Sequence, residues 1–208
     1  DAVERIGAKY EEDNAGRLKD QLFYGELALG QGTPPLAEAS APEYCRRPRS
    51  RLGARIVVRE QLERLWTPIC AELDDWKNKT KWRSAQLLRA LLLYAEKHST
   101  KHAARILHSM PACCASEEIR LCCEHICALL AFWCGTDVTI APLLDQLSSC
   151  SGEESQVAPL YHVLALVLCN VPGVVELHYQ PLLSALILDT EWRHYCTSDF
   201  LSSKMNLI

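Results

Sequence analysis

The chain has 208 residues, 49% hydrophobic and 23% charged, and its 26 acidic and 22 basic side chains give a formal charge of -4. That balance can build a sizeable core and excludes a disordered or fibrous chain. Both signs are mixed along the sequence, so no single-sign field is offered to a polyanion such as nucleic acid. Apolar runs such as Leu87 to Leu93 and Val163 to Leu168 fall far short of the roughly 18 residues of a membrane span, so neither nucleic acid nor a membrane is expected as a partner.

The sequence opens at Asp1 with no methionine and no basic-then-apolar leader, and it reads as a piece of a longer polypeptide. Residues 1–24 carry Val3, Ile6, Tyr10, Leu18 and Leu22 at helical spacing, which predicts one amphipathic helix or two short ones from Ala2 to Leu22, the end of a preceding helical repeat. Residues 25–51 shift to Gly, Pro, Ser and Ala, with Pro34-Pro35 and a basic cluster at Arg46, Arg47, Arg49 and Arg51. This predicts a long loop, of the kind that is either functional or disordered.

From residue 52 to 208 the pattern is helical and strongly punctuated. Arg55 to Leu73 places Leu62, Leu65, Trp66, Ile69 and Leu73 on one stripe, and Thr80 to Glu96 does the same with Ala85, Leu88, Leu91, Leu92 and Ala95. Asp74 and Asp75 mark the turn between them. Thr100 opens a helix to about Cys113, Ser116 opens another to about Cys134, and Gly135 stops it. A third pair spans Asp137 to Leu147 and Gln156 to Leu168, and Val174 to Leu188 begins a fourth that is divergent or truncated. No succession of strands with paired turn signals is visible.

The pairs repeat. Pro142-Leu143-Leu144 recurs as Pro181-Leu182-Leu183, and Thr80-Lys81 is followed at the same interval by Ile119-Arg120; Pro68-Ile69 precedes Pro142 by close to two such intervals. A period of about 40 residues is that of HEAT and armadillo arrays, and a proline in the first helix of a pair bends it. Asp75 precedes Lys81 by six residues, which suggests a structural ladder in which the carboxylate meets backbone N–H groups at the start of the second helix and attracts the cation. The fold expected is all-α, a HEAT-repeat (armadillo-like) α-solenoid of about three to four helix pairs; an ordinary bundle with coincidental spacing is the alternative.

The residues Leu52-Gly53, Arg55, Pro68-Ile69, Asp75-Trp76, Thr80, Ala85-Gln86-Leu87-Leu88, Leu91-Leu92-Leu93, Ala95-Glu96, His98, Thr100 and His102 together resemble the HEAT-repeat axonemal dynein assembly factors. Gly7, Tyr10-Glu11, Leu18-Lys19-Asp20, Ala112-Cys113 and Glu117-Glu118 extend the likeness. Lys77, Asn78 and Lys79, charged or polar where that family is apolar or small, depart from it, as do residues 25–51. The resemblance implies a cytoplasmic factor for preassembly of the dynein arms of motile cilia, with axonemal dynein chains and other assembly factors or chaperones as protein partners.

Signs of chemistry are sparse. Cys122, Cys123, His125 and Cys127 are zinc-ligand types on one helix, yet one helical turn does not surround a tetrahedral ion and no Cys-x-x-Cys pair completes it. Most of the 11 cysteines lie inside apolar helical patterns, where a thiol is a small buried hydrophobe, and reduced thiols fit the cytosol. Glu96, His98 and His102 surround a helix junction and could form an acid-base cluster, but no nucleophile elbow or phosphate loop accompanies them. No catalysis, metal, cofactor or small-molecule substrate is expected. Trp66 fits the core stripe, whereas Trp76 sits in a turn and, with Lys77 and Lys79, is the candidate protein contact. The leading reading is a non-catalytic protein-binding scaffold. A regulatory or transport HEAT-repeat subunit with a different client is the rival, and a small zinc-dependent enzyme the third possibility.

Overall fold

The computed structural model describes residues 2–19, 50–150 and 154–170, and among them there is helix and turn but no strand. Helix α1 (Ala2–Asp13) is followed by α2 (Leu52–Leu73), α3 (Asn78–Ala95), a 3-10 turn (Glu96–Ser99), α4 (Thr100–Cys114), α5 (Glu117–Cys134), α6 (Thr136–Ser149) and α7 (Glu154–Asn170). The segment expected as a loop over 25–51 lies outside the described residues except for Ser50 and Arg51, and the fourth pair expected from Val174, with Pro181, lies wholly outside them.

The helices form pairs. α2 packs on α3, α4 on α5 and α6 on α7, while α3, α5 and α7 make one row and α4 and α6 lie together in the other. Each pair presents an apolar stripe that only its neighbours can bury. The second helices show this in register: Ala85, Cys123 and Val157 are buried, as are Leu88, Ile126 and Leu160, and Leu92, Leu130 and Leu164, each trio stepping along the chain by the same two intervals. One continuous core runs from Ala54 to Val167. No described helix is long and apolar enough to cross a membrane.

Local chemistry sets the breaks. Of the two readings of Ala2 to Leu22, the described residues show two short helical segments: α1 stops at Asp13, where the Asn14 side-chain amide donates to the Tyr10 carbonyl at 2.9 Å, and a short helical turn over 15–19 brings Leu18 into the interior, while 20–22 lie outside the described residues. Gly135, at φ 80°, ends α5 and admits α6. Prolines lie inside α2 (Pro68), α4 (Pro111) and α6 (Pro142), all first helices of a pair, but also inside α7 (Pro159), a second helix.

α1 docks on α2 through two glycines. A Cβ on Gly7 would strike the Ala54 backbone, and one on Gly53 the Gly7 carbonyl. Contact this close also lets the Glu11 carboxylate accept the Gly53 N–H at 2.7 Å, and Arg51 reaches Glu4 at 3.8 Å and Glu11 at 3.6 Å. A neighbouring helix thereby satisfies a donor that the first turn of α2 leaves open.

Candidate partner-binding surface

The turn from α2 to α3 is short and internally satisfied. The Asp74 and Asp75 backbone N–H groups donate to Cys70 and Glu72, and the Asp75 carboxylate accepts the Lys77 N–H at 3.4 Å. Leu73 turns inward and is fully buried, which leaves Trp76 pointing away from the core, 83% exposed. The Lys77 ammonium lies 5.2 Å from the centre of the indole ring, a cation–π contact that holds the pair as one outward-facing unit. Lys79 is exposed on the first turn of α3; Trp82, 41% exposed, and Arg83 follow at i+3 and i+4 on the same face.

Trp66, by contrast, is buried and stacks on His102, ring centres 4.4 Å apart. Trp82 and Arg83 extend the surface beyond the residues that the sequence singles out. A signal for them is present, since α3 contains four basic residues and no acidic one between Asn78 and Ala95.

The ladder expected between Asp75 and Lys81 is not formed among the described residues. In this turn the carboxylate that pairs across repeats is Asp74, with Arg105 of α4 at 3.4 Å. One residue of register separates the two cases: Asp75 is held by the local turn, whereas Asp74 faces the neighbouring helix. Arg120 likewise serves its own helix start, pairing with Glu117 at 2.8 Å and donating to the Cys114 carbonyl at 3.3 Å. The burial register that matches Ala85 with Cys123 sets Arg120 opposite Trp82, and Lys81 opposite Ile119.

The residues weighed for chemistry are divided among separate tasks. Glu96, 3% exposed, meets Arg59 at 2.8 Å and Arg55 at 3.4 Å, tying the end of α3 to α2. His102 instead turns to Glu63 at 3.4 Å, and Lys101 pairs with the same carboxylate. Burial chiefly pushes the His102 imidazole below its ordinary value, as it does for His98 and His125. His125 faces Arg89 at 3.1 Å, a cation that competes with any metal. Cys123 faces away from it, towards Cys113 and Cys114 of α4, in a seam of buried thiols completed by Cys127. Contact with Cys123 first, and burial second, push the Cys113 thiol up; burial pushes Cys70 up to about 11. These are thiols held in their neutral form. Among the described residues no group of three or more metal-ligand side chains is arranged to hold an ion, and none of the nine described cysteines is in a disulfide.

A family model described as "Dynein axonemal assembly factor 5, HEAT-repeat domain" matches residues 39–199. Among curated proteins, the chain is similar to Dynein axonemal assembly factor 5 of Mus musculus, 27% identical over 195 residues, and of Homo sapiens, 28% identical over 195 residues; each match covers 93% of this chain and 21% of the relative. It is 30% identical over 122 residues to the Xenopus laevis protein of the same name, covering 57% of this chain and 13% of that one. The chain thus spans about a fifth of the length of the mouse and human relatives it matches. No solved structure matches it.

Proposed function

Because the chain belongs to the dynein axonemal assembly factor 5 family through its HEAT-repeat domain, we propose that it is a non-catalytic protein-binding scaffold within a cytoplasmic factor for preassembly of axonemal dynein arms. Its contact residues in this reading are Trp76, Lys77 and Lys79, and its partners are axonemal dynein chains, other assembly factors or chaperones. Pro68, Pro142 and Pro181 are the repeat positions in this reading, whereas Asp75, Lys81 and Arg120 make no ladder between repeats among the described residues.

The observation that carries the reading is the indole of Trp76, 83% exposed and outward at a turn whose own backbone needs nothing from it. An exposed tryptophan with a cation over its ring contributes little to folding and much to a partner's pocket. The curated relatives supply the context, since their name states axonemal dynein assembly.

The test is Trp76→Ala in the full-length protein, expressed in motile ciliated cells that lack the natural copy. Stability of the purified protein should change by no more than about 0.5 kcal/mol, as for surface positions, while partner binding weakens by about 2 kcal/mol or more. Dynein arms should be reduced at unchanged protein abundance. Normal arms in cells lacking the whole protein would refute the assembly role; recovery of nuclear transport or phosphatase components in place of dynein chains would favour a regulatory or transport subunit.

A further inference from the structure

We propose that the α2–α3 turn and the first two turns of α3 receive an acidic protein segment carrying a bulky apolar residue. The proposal deepens the reading of Trp76 as a protein contact and rests on it. Lys77, Lys79, Lys81 and Arg83 are crowded into one short stretch, and among the described residues none of them has a carboxylate within ion-pair reach. The acids beside them are already engaged: Asp74 with Arg105, Glu72 with the Ser84 hydroxyl, and Asp75 with the Lys77 backbone.

The helix itself adds to the imbalance. The N-cap of α3, Lys77, makes no side-chain cap and the first turn has no acidic residue, so Lys77 and Lys79 sit at the positive end of the helix macrodipole, where an anion is stabilising and a cation is not. Open N–H groups, like charges and the dipole all point the same way. None of the four cations has an ion pair among the described residues, and an incoming carboxylate-rich segment would supply one. Trp76 and Trp82 flank the cations with exposed indole surface, which gives such a segment an apolar anchor as well as a charge partner.

A nucleic-acid strand fits less well. The basic strip is one helix wide, bordered by Asp74 and Asp75 on one side and, at the start of the adjoining α5, by Glu117 and Glu118 on the other. A phosphate backbone tracking outward from it would run into carboxylates. A short peptide laid along α3, and not across to α5, stays clear of Glu117 and Glu118.

Binding to the 208-residue chain can be followed by anisotropy with four labelled probes: a short Glu/Asp peptide containing two Leu and one Phe, its sign-inverted Lys/Arg counterpart, a polyglutamate of equal charge, and a single-stranded oligonucleotide of equal length. The expected order places the acidic apolar peptide first and the sign-inverted peptide last. Trp76→Ala should weaken the first about tenfold. The triple variant Lys77→Glu/Lys79→Glu/Arg83→Glu, all exposed positions, should lose it and gain the sign-inverted peptide, a gain that a misfolded protein would not show. Equal binding of both peptide signs, tighter binding of the single strand, or no saturable binding of the acidic peptide by about 1 mM overturns the proposal. If peptide sign is indifferent while Trp76→Ala cells still lose dynein arms, the contact stands and its acidic occupant falls. If the peptides behave as expected but those cells build normal arms, the acidic site stands and its part in assembly falls.

Discussion

Glu96 is the residue under greatest constraint. It is the one described non-glycine residue at positive φ, 51°, a conformation that costs about 1–3 kcal/mol. Its carboxylate is buried between Arg55 and Arg59, and its carbonyl accepts the Ser99 hydroxyl at 2.6 Å. Two charge-assisted contacts therefore hold a strained backbone in place. Replacing Glu96 with Ala removes the anion while leaving Arg55 buried, so the loss should be about 3–5 kcal/mol, nearer the lower figure because Arg59 keeps some access to water. Urea unfolding would measure it. Sequence periodicity could not reveal this cluster, since Glu96 closes an apolar stripe and Arg55 opens one; only the crossing of α3 over α2 brings them together.

The histidines predict the response to acid. Burial, the first cause for each, holds His98, His102 and His125 below the ordinary imidazole value; nearby Arg59 and Arg89 add to this for His98 and His125, while Glu63 opposes it for His102. The unfolded chain then binds more protons than the folded one near pH 6, and stability rises with pH across that window. It should be intact above about pH 6.5 and fall as pH drops through the lowered values. Melting temperature at pH 5.5 should lie below that at pH 7.5, and the gap should shrink in His102→Gln; a flat profile would contradict this.

Among the elements, the helices were largely legible because their apolar spacing is regular, and the shifts at their ends have local causes. α2 is expected from Arg55 but starts at Leu52, since Glu11 of α1 receives the Gly53 N–H. That contact joins residues far apart in the chain, and no local pattern can report it. The paired glycines predict the sharpest element-scale effect. Gly53→Val would drive two methyl groups into the Gly7 carbonyl and should release α1 from α2. Hydrogen exchange should show Ala2–Asp13 losing protection while α5 keeps it. Unchanged protection of α1 in the variant would mean that this contact does not hold it. The candidate contact was half legible: Trp76 stood out as an aromatic in a turn, whereas Trp82 and Arg83 join it only once the start of α3 is set at Asn78.

Across the molecule, stacking buries a seam of thiols between α4 and α5, where Cys113, Cys114, Cys123 and Cys127 meet. Burial shields all four thiols, and Cys113, Cys114 and Cys123, pushed above their usual range, present almost no thiolate besides, so a disulfide reagent should reach the seam only through opening of the stack. Cys169, which is exposed, should be labelled first among the described cysteines, and the four seam thiols should follow at the rate of unfolding, as mass spectrometry of timed samples would show. Prompt labelling of Cys123 in the native chain would mean that α4 and α5 separate without global unfolding.

The two contrasting indoles give the molecule an optical character of its own. Trp76, open to water beneath an ammonium group, will emit at long wavelength, while Trp66, sealed against His102, emits from an apolar setting. A partner that covers the turn will blue-shift the first and leave the second alone. Protonation of His102 will dim the second and leave the first alone. Docking and acid opening are thereby separable by colour in the unlabelled protein, and Trp76→Phe would reduce the docking signal to the share of Trp82, 41% exposed on the same face, while sparing that of Trp66.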